Sequence, residues 1–313
     1  DNGELVRGTS FTKKLEPGLV YSFKVTAVNR GGESFPSEIL SAYQAKRSKG
    51  TILIINGFDR LSGPATIDTY NMQGFDMQAD PGVPYLNTAE YCGNQLCFNK
   101  LGIGKETKDG LGYSDSNYEG MLIAGNTFDY PFIHGKAIQA AGRYSFVSCS
   151  NEAVENGLVN MNDYRMIDLI LGVELQPFST EMKQLLTQYC QNGGYLFASG
   201  AHLDKEKDRN FTNMLKYIPA GNLQNFSDNE IFGTGIRFNI YREANEKSYA
   251  VPSPSCIVPA AAAITSFAYT GSRQGAGVSY KGNDYSTFIL GFPFESITDE
   301  NNAEANCNGI NKV

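Results

Sequence analysis

The stretch TILIING, residues 51–57, is a continuous apolar run that ends in Asn-Gly. A run of this kind is typical of a strand buried on both faces, as in a parallel sheet. Similar runs recur along the chain at 144–148, 166–172, 195–200 and 286–291. Helices are predicted between these runs at 134–141, 180–191 and 210–217. Strand and helix alternating at this spacing predict an α/β fold with a mainly parallel, doubly wound sheet.

The segment before this region has a different period. Tyr21, Phe23, Val25 and Ala27 alternate with polar residues, which predicts a strand with one buried face. A second extended run follows at 34–43. Residues 1–45 are too few for a β-sandwich of about 100 residues. We therefore expect the C-terminal half of a sandwich, with its apolar face covered by a missing N-terminal segment of the parent chain or by the next domain.

A polar, basic linker at 44–50 leads into a second predicted domain, at 46–313. Within it, residues from about 58 to 120 are rich in Gly, Asn, Asp and Tyr and show little periodicity. We predict a long loop insertion there, above the carboxyl ends of the strands. Its tyrosines suit either stacking on carbohydrate or simple loop packing.

Charge and composition exclude several classes of protein. The chain of 313 residues carries 33 acidic and 26 basic residues, a net charge of −7, and has no long basic run. This balance argues against a nucleic-acid partner. No apolar run is long enough to span a membrane. With 2 histidines and no Cys/His cluster, we expect no metal and no cofactor. Cys92 and Cys97 have a spacing that allows a small disulfide, or they are two reduced thiols.

The α/β portion resembles the class I glutamine amidotransferase-like, flavodoxin-related folds. More narrowly, it is similar to secreted bacterial multidomain proteins labelled xanthan lyase or golvesin-like. In that group, fibronectin type III modules precede such a domain, and Leu15 with Tyr21 resembles their tyrosine corner. The resemblance implies an extracellular or cell-surface protein whose partner is a glycan or cell-wall polymer. It is carried by residues 15–41, 50–59, 130–135, 148–154, 168–172, 193–201 and 291–295.

Polar residues that follow the apolar runs are the predicted ligand-binding residues. In open α/β sheets, ligands lie outside the carboxyl ends of the strands. The residues at these positions are Asn56, Asp59, Asn151, Ser199 and His202.

Candidate catalytic residues come partly from the resemblance. Cys149 lies where the amidotransferase-like fold keeps its nucleophile, and Ser150 is next to it; helix amides would stabilise a thiolate there. However, the glycines of a nucleophile elbow are absent, so a buried Cys149 and a helix-capping Ser150 remain the alternative. His134 is the candidate base, with Asp129 to orient its ring.

Glu295 is the remaining candidate carboxylate. The resemblance implies a His-x-Glu sequence after a late strand, but Pro293 and Phe294 precede Glu295 here. Two hypotheses follow. The first is an extracellular domain that binds or presents cell-wall or polysaccharide material without a complete triad. The alternative is a hydrolase or lyase on peptidoglycan or polysaccharide that uses His134 with Cys149 or Ser150. A hydrogen bond from His134 to either residue would favour the alternative.

Overall fold

An eleven-stranded mixed sheet forms the centre of the chain in the computed structural model. The structure describes residues 3–33, 37–58, 65–76, 97–99, 114–116, 129–223, 230–242, 249, 251 and 253–298. Strands in chain order are β1 (Val20–Phe23), β2 (Val28–Asn29), β3 (Gly32–Glu33), β4 (Leu40–Tyr43), β5 (Thr51–Asn56), β6 (Ala65–Asp68), β7 (Met72–Asp76), β8 (Cys97–Asn99), β9 (Ser114–Ser116), β10 (Ser145–Ser150), β11 (Met166–Gly172), β12 (Tyr195–Gly200), β13 (Tyr217–Asn222), β14 (Glu230–Gly233), β15 (Ile236–Asn239), β16 (Ser255–Pro259), β17 (Ile264–Tyr269), β18 (Gly275–Lys281) and β19 (Ser286–Leu290).

The described helices are few and mostly short. They are α1 (Tyr130–Ala141), α2 (Asn151–Glu155), α3 (Thr180–Gln191) and α4 (Arg209–Met214), with 3₁₀ turns at Met161–Asp163, Leu203–Lys205 and Phe294–Ser296. The prediction of α3 is confirmed, and the side chain of Ser179 accepts a hydrogen bond from the Met182 amide at its start.

The large sheet has a parallel centre with antiparallel strands on both sides. Its order is β1-β4-β10-β5-β11-β12-β19-β18-β17-β14-β15. The five strands from β10 to β19 are parallel to one another. The remaining six of the ten neighbouring pairs are antiparallel.

The prediction of a mainly parallel, doubly wound, flavodoxin- or amidotransferase-like sheet is therefore wrong. An apolar run indicates that a strand is buried, but it does not indicate the direction of the strand or which strands pair with it. The antiparallel strand β18 is as buried as β19, the strand of the parallel set beside it, and antiparallel strands extend the sheet on both sides. In the described chain only α1 and α3 exceed six residues.

The N-terminal strands are part of this sheet. β1 pairs antiparallel with β4, and β4 pairs antiparallel with β10 through Tyr43 and Phe146. The Ser148 hydroxyl accepts from the Ser41 amide at 2.7 Å and donates to its carbonyl at 2.7 Å. We expected these residues to form half of a fibronectin type III sandwich. Among the described residues, β1 and β4 instead belong to the large sheet, because β4 pairs with β10. The Tyr21 hydroxyl does accept a bond from the Glu16 amide at 3.1 Å. The division at 1–45 and 46–313 stays a prediction.

The predicted insertion lies mostly outside the described residues, as do Asp59 and Cys92. Its described parts are the short strands β6, β7, β8 and β9, which form a separate antiparallel sheet. Across the part of the chain that the structure describes, no helix has the length and apolar character needed to cross a membrane.

The two faces of the parallel strands bury separate apolar clusters. Ile52 and Ile54 of β5 pack on the face that α1 covers, in a cluster with Ile170 of β11. Leu53 and Ile55 point to the opposite face, which α3 covers with Met182, Leu186 and Tyr189. We call these the α1 face and the α3 face. Since side chains alternate along a strand, each strand residue belongs to one face only.

Helix α1 lies close against β10 at one glycine. A Cβ atom at Gly135 would overlap the ring of Phe146. The helix ends at Gly142, which has φ 67° and donates its amide to the carbonyls of Ile138 and Gln139. These two glycines set how near α1 comes to the sheet and where it stops, and so fix the height of His134 above β11.

We expect Gly135→Ala to destabilise the protein by about 1–3 kcal/mol, because the added methyl group overpacks the helix–sheet contact. Urea unfolding monitored by circular dichroism measures this loss. Lys136→Ala, one residue along on the exposed side of α1, is the control and should change stability by less than about 0.5 kcal/mol. If Gly135→Ala is instead more stable, by the ~1 kcal/mol that alanine gains in a helix, the close packing is wrong.

Candidate functional site

His134 lies buried between two carboxylates on the α1 face. Its Nδ1 is 3.0 and 2.9 Å from the two oxygens of Asp168, on β11. Its Nε2 is 3.2 Å from Oε2 of Glu295, in the turn after β19. The Tyr249 hydroxyl donates to the other oxygen of Glu295 at 2.6 Å. The relative exposures of His134, Asp168 and Glu295 are 1%, 7% and 5%. We call these four residues the histidine network.

The histidine network makes His134 a cation at neutral pH. Burial lowers the pKa of His134, but the charge and hydrogen bond of Asp168, and then those of Glu295, outweigh it and raise the pKa to about 10. The ordinary pKa in an unfolded chain is about 6.5. The network therefore stabilises the fold fully below about pH 6.5 and progressively less as the pH rises towards 10.

A protonated imidazole with both nitrogens engaged does not act as a general base. The ring also packs against aromatic rings, with its centroid 4.8 Å from that of Phe294 and 6.3 Å from that of Phe197. His134 thus joins α1, β11 and the turn after β19. Its geometry is that of a structural cation.

The structure does not bring His134 to Cys149 or Ser150. Cys149 packs in the α3-face cluster, whereas His134 bonds to Asp168 on the other face. Burial, and secondarily the charge of Glu38, raise the pKa of the Cys149 thiol to about 12, so it is protonated at neutral pH. Ser150 occupies the N-cap position of α2 without a side-chain capping bond.

Asp168, and not Asp129, orients the His134 ring. Asp129 is the N-cap residue of α1, and its carbonyl accepts from the amides of Phe132 and Ile133. The sequence did contain a signal for Asp168. An acid in the middle of the buried run MIDLILG, residues 166–172, needs a charged or hydrogen-bonding partner, and His134 and His202 are the only two histidines available.

The carboxyl ends of the parallel strands carry a second polar group of residues. Strand register places Asn56 of β5 beside Ile170 of β11, and Ile170 beside Ser199 of β12. Residues in register on parallel strands point to the same face, and Ile170 lies on the α1 face. Asn56 and Ser199 therefore share the α1 face, two strand spacings or about 10 Å apart. His202 follows shortly after β12.

Three buried atoms of this group have no hydrogen-bond partner within the described part of the chain. They are Oδ1 of Asn56, Oγ of Ser199 and Nδ1 of His202. The amide nitrogen of Asn56 does donate to the Glu38 carboxylate. Burial lowers the pKa of His202 more than Asp204 raises it, so its ring is neutral at pH 7. We call Asn56, Ser199 and His202 the polar edge.

Leaving such atoms unpaired costs about 1–3 kcal/mol each. The unpaired atoms of the polar edge are neutral donors and acceptors that lie buried at the carboxyl ends of the strands. Three of the predicted ligand-binding residues lie at or just beyond this end of the strands.

Asn151, another predicted ligand-binding residue, lies on the α3 side of the same edge. It lines a cavity of about 230 Å³ with Gly57, Glu152 and Ser179. No group of three or more His, Cys, Asp or Glu side chains among the described residues is arranged to hold a metal ion. Cys149, Cys190 and Cys256 are free and buried.

No family model matches the chain. No curated protein matches it either. Among solved structures, it has a weak similarity to carbohydrate-active enzymes. A β-galactosidase from the haloarchaeon Halorubrum lacusprofundi is 14% identical with a TM-score of 0.40, over 59% of this chain and 26% of that one. An exo-β-1,4-mannosidase from Opitutaceae bacterium strain TAV5 is 11% identical with a TM-score of 0.41, over 57% and 30%.

The mmIFT52 N-terminal domain is 9% identical with a TM-score of 0.40, over 57% of this chain and 88% of that domain. The chain spans less than a third of either enzyme's length. All three scores are below 0.5, so the site geometry, and not these neighbours, carries the functional argument.

The two histidines should differ sharply in their protonation. We expect the His134 ring to stay protonated at pH 8 and the His202 ring to be neutral at pH 7, for the reasons of pairing and burial given above. A pH titration of ¹⁵N-histidine-labelled protein by NMR measures both, and His202→Gln assigns the signals by removing one set. Two rings that both titrate near pH 6.5 would contradict the histidine network.

Asp168→Asn should lower the free energy of unfolding by about 3–5 kcal/mol, because it removes one partner of a buried charge. Asp163→Asn, an exposed acid just before β11, is the matched control and should cost less than about 0.5 kcal/mol. Chemical denaturation at pH 6 measures both. Equal, small losses would show that Asp168 does not carry the charge that holds His134.

Proposed function

We propose that this chain binds a carbohydrate of cell-wall or polysaccharide origin at the polar edge, and that it does so without cleaving it. The observation that carries the proposal is the set of unpaired buried atoms on Asn56, Ser199 and His202. A ligand rich in hydroxyl groups matches them, since each hydroxyl both donates and accepts. The wider chain is acidic, with a net charge of −7, which favours a neutral ligand over a polyanion.

The state of the other candidate residues argues for binding over catalysis. A nucleophilic mechanism needs a thiolate or an activated hydroxyl beside a base. The Cys149 thiol is protonated at neutral pH, and His134 is a cation held by two acids. Glu295 is itself occupied by His134 and Tyr249. The histidine network therefore supports the neighbouring strands and supplies no catalytic base.

The resemblance of the sequence motifs to secreted, modular bacterial proteins supports placing the protein outside the cell or at the cell surface. The proposed neutral, hydroxyl-rich ligand sets the two probes, namely chitohexaose as a neutral cell-wall glycan and cellohexaose as a neutral polysaccharide fragment. The alternative, a hydrolase or lyase that uses His134 with Cys149 or Ser150, would require His134 to leave Asp168 and Glu295.

Isothermal titration calorimetry with these two probes tests the proposal. We expect saturable binding and no release of new reducing ends on long incubation. Ser199→Ala should weaken binding about three- to tenfold, the effect of one lost neutral hydrogen bond. Because Ser199 Oγ has no partner in the described chain, the variant should keep its stability.

Ser279→Ala is the control. Its hydroxyl is also buried in the large sheet but is bonded to Ser266 at 2.7 Å, away from the polar edge. It should lose stability and keep full affinity. Absence of binding to both probes, or equal affinity losses in both variants, would contradict the proposal. Product release that Cys149→Ala abolishes would establish the hydrolase alternative.

A further inference from the structure

A cavity lies at the opposite, amino end of the parallel strands. Its volume is about 470 Å³, within the range of pockets that hold small organic ligands. Its upper wall is α1, through Ala137, Ile138 and Ala141, and its floor is the start of the strands. It is distinct from the polar edge, which lies at the carboxyl ends of these strands.

The inner end of the cavity is apolar apart from the histidine network. Phe197 and Phe294 line it together with His134 and Asp168. The polar atoms of His134 are already engaged by Asp168 and Glu295. An occupant therefore meets hydrocarbon and aromatic surface over most of its length, and this surface favours an apolar body.

The mouth of the cavity carries three cationic side chains, Lys49, Arg143 and Arg165. The Lys49 amide donates to the Arg143 carbonyl at 2.9 Å, and Arg165 precedes β11 on the next strand. Since neighbouring strands are about 4.8 Å apart, the three backbones lie within about 10 Å of one another. One acid, Asp163, lines the same mouth. This local excess of positive charge stands out in a chain of net charge −7.

Two of these cations are available to a ligand. Arg165 donates to the Tyr195 hydroxyl at 2.8 Å and lies 4.7 Å from the centre of its ring. The side chains of Lys49 and Arg143 make no hydrogen bond or ion pair with any residue that the structure describes, and both are exposed. An anionic group at the mouth would pair with them while its apolar body lies under α1.

We infer that this cavity binds a small amphipathic carboxylate, with the carboxylate at Lys49 and Arg143 and the hydrocarbon body between α1 and the strands. We take the ligand to be a free acid in solution, because a cavity of about 470 Å³ suits one small molecule. This site is independent of the polar edge and of the proposed glycan.

Calorimetric titration of the whole chain with decanoate, below its micelle concentration, tests the inference. Decanol has a similar body without the charge and should bind more weakly. Lys49→Gln and Arg143→Gln should each weaken decanoate binding about two- to fivefold, as expected for a solvent-exposed ion pair. Lys136→Gln is the matched control, because it removes the same charge from α1 outside the cavity lining, and should leave the affinity unchanged.

A second variant tests the position of the hydrocarbon body. Ala141→Phe fills the space below the end of α1 and should weaken decanoate binding by about tenfold or more. Decanoate should also shift the ring signals of His134 and leave those of His202 unchanged, whereas a glycan at the polar edge should do the reverse. The two histidine signals therefore report on the two sites separately, so one binding proposal can fail while the other holds.

Three results would overturn the inference. The first is no saturable binding of decanoate, including the case in which only phosphatidylglycerol vesicles bind. The second is an equal affinity loss in Lys136→Gln, which would show an unspecific charge effect. The third is unchanged binding by Ala141→Phe with an unmoved His134 signal, which would place the ligand elsewhere.

Discussion

The buried cation of His134 between Asp168 and Glu295 is the constraint on which the rest of this structure depends. An unpaired charge in the protein interior is very costly, and a pair is stable only if its hydrogen bonds are well made. Satisfying His134 fixes α1 at one height over β11 and draws the turn after β19 beneath it. The Tyr249 hydroxyl then donates a hydrogen bond to the second carboxylate oxygen of Glu295. Three distant parts of the chain are thereby held by one group.

This constraint divides the parallel strands into two chemically different ends. Beyond the histidine network, at the carboxyl ends, Asn56, Ser199 and His202 present neutral polar atoms. At the amino ends, Lys49 and Arg143 place positive charge at the mouth of an apolar cavity. A neutral, hydroxyl-rich partner suits the first end and an anionic amphiphile the second. The network itself holds α1 and the strands in place and takes no part in binding at either end, since its groups are hydrogen-bonded to one another.

Local structure could be predicted from the sequence wherever it depends on burial alone. The apolar runs at 51–57, 166–172 and 195–200 correspond to the buried strands β5, β11 and β12, and the helix predicted at 180–191 corresponds to α3. The placing of Asn56 and Ser199 at one end of the sheet followed from their position near the ends of such runs. The direction and pairing of the strands could not be predicted from the apolar runs, because hydrophobicity does not distinguish a parallel neighbour from an antiparallel one.

The partners of His134 could not be read from spacing. Asp168 and Glu295 are 34 and 161 residues away in sequence, and only the packing of α1 on the sheet brings them together. The sequence-based choice of Asp129 followed proximity along the chain, whereas the fold selects the acid that is buried. Likewise, Cys149 and His134 are close in chain order but belong to opposite faces of the sheet.

The geometry around His134 is that of a structural cation and not of a catalytic base. A neutron crystal structure of the deuterium-exchanged protein at neutral pH distinguishes these two roles, since it locates the protons on the imidazole ring. We expect deuterium on both Nδ1 and Nε2, directed at Asp168 and Glu295. A ring with one bare nitrogen facing solvent or Cys149 would contradict it and would restore His134 as a candidate base.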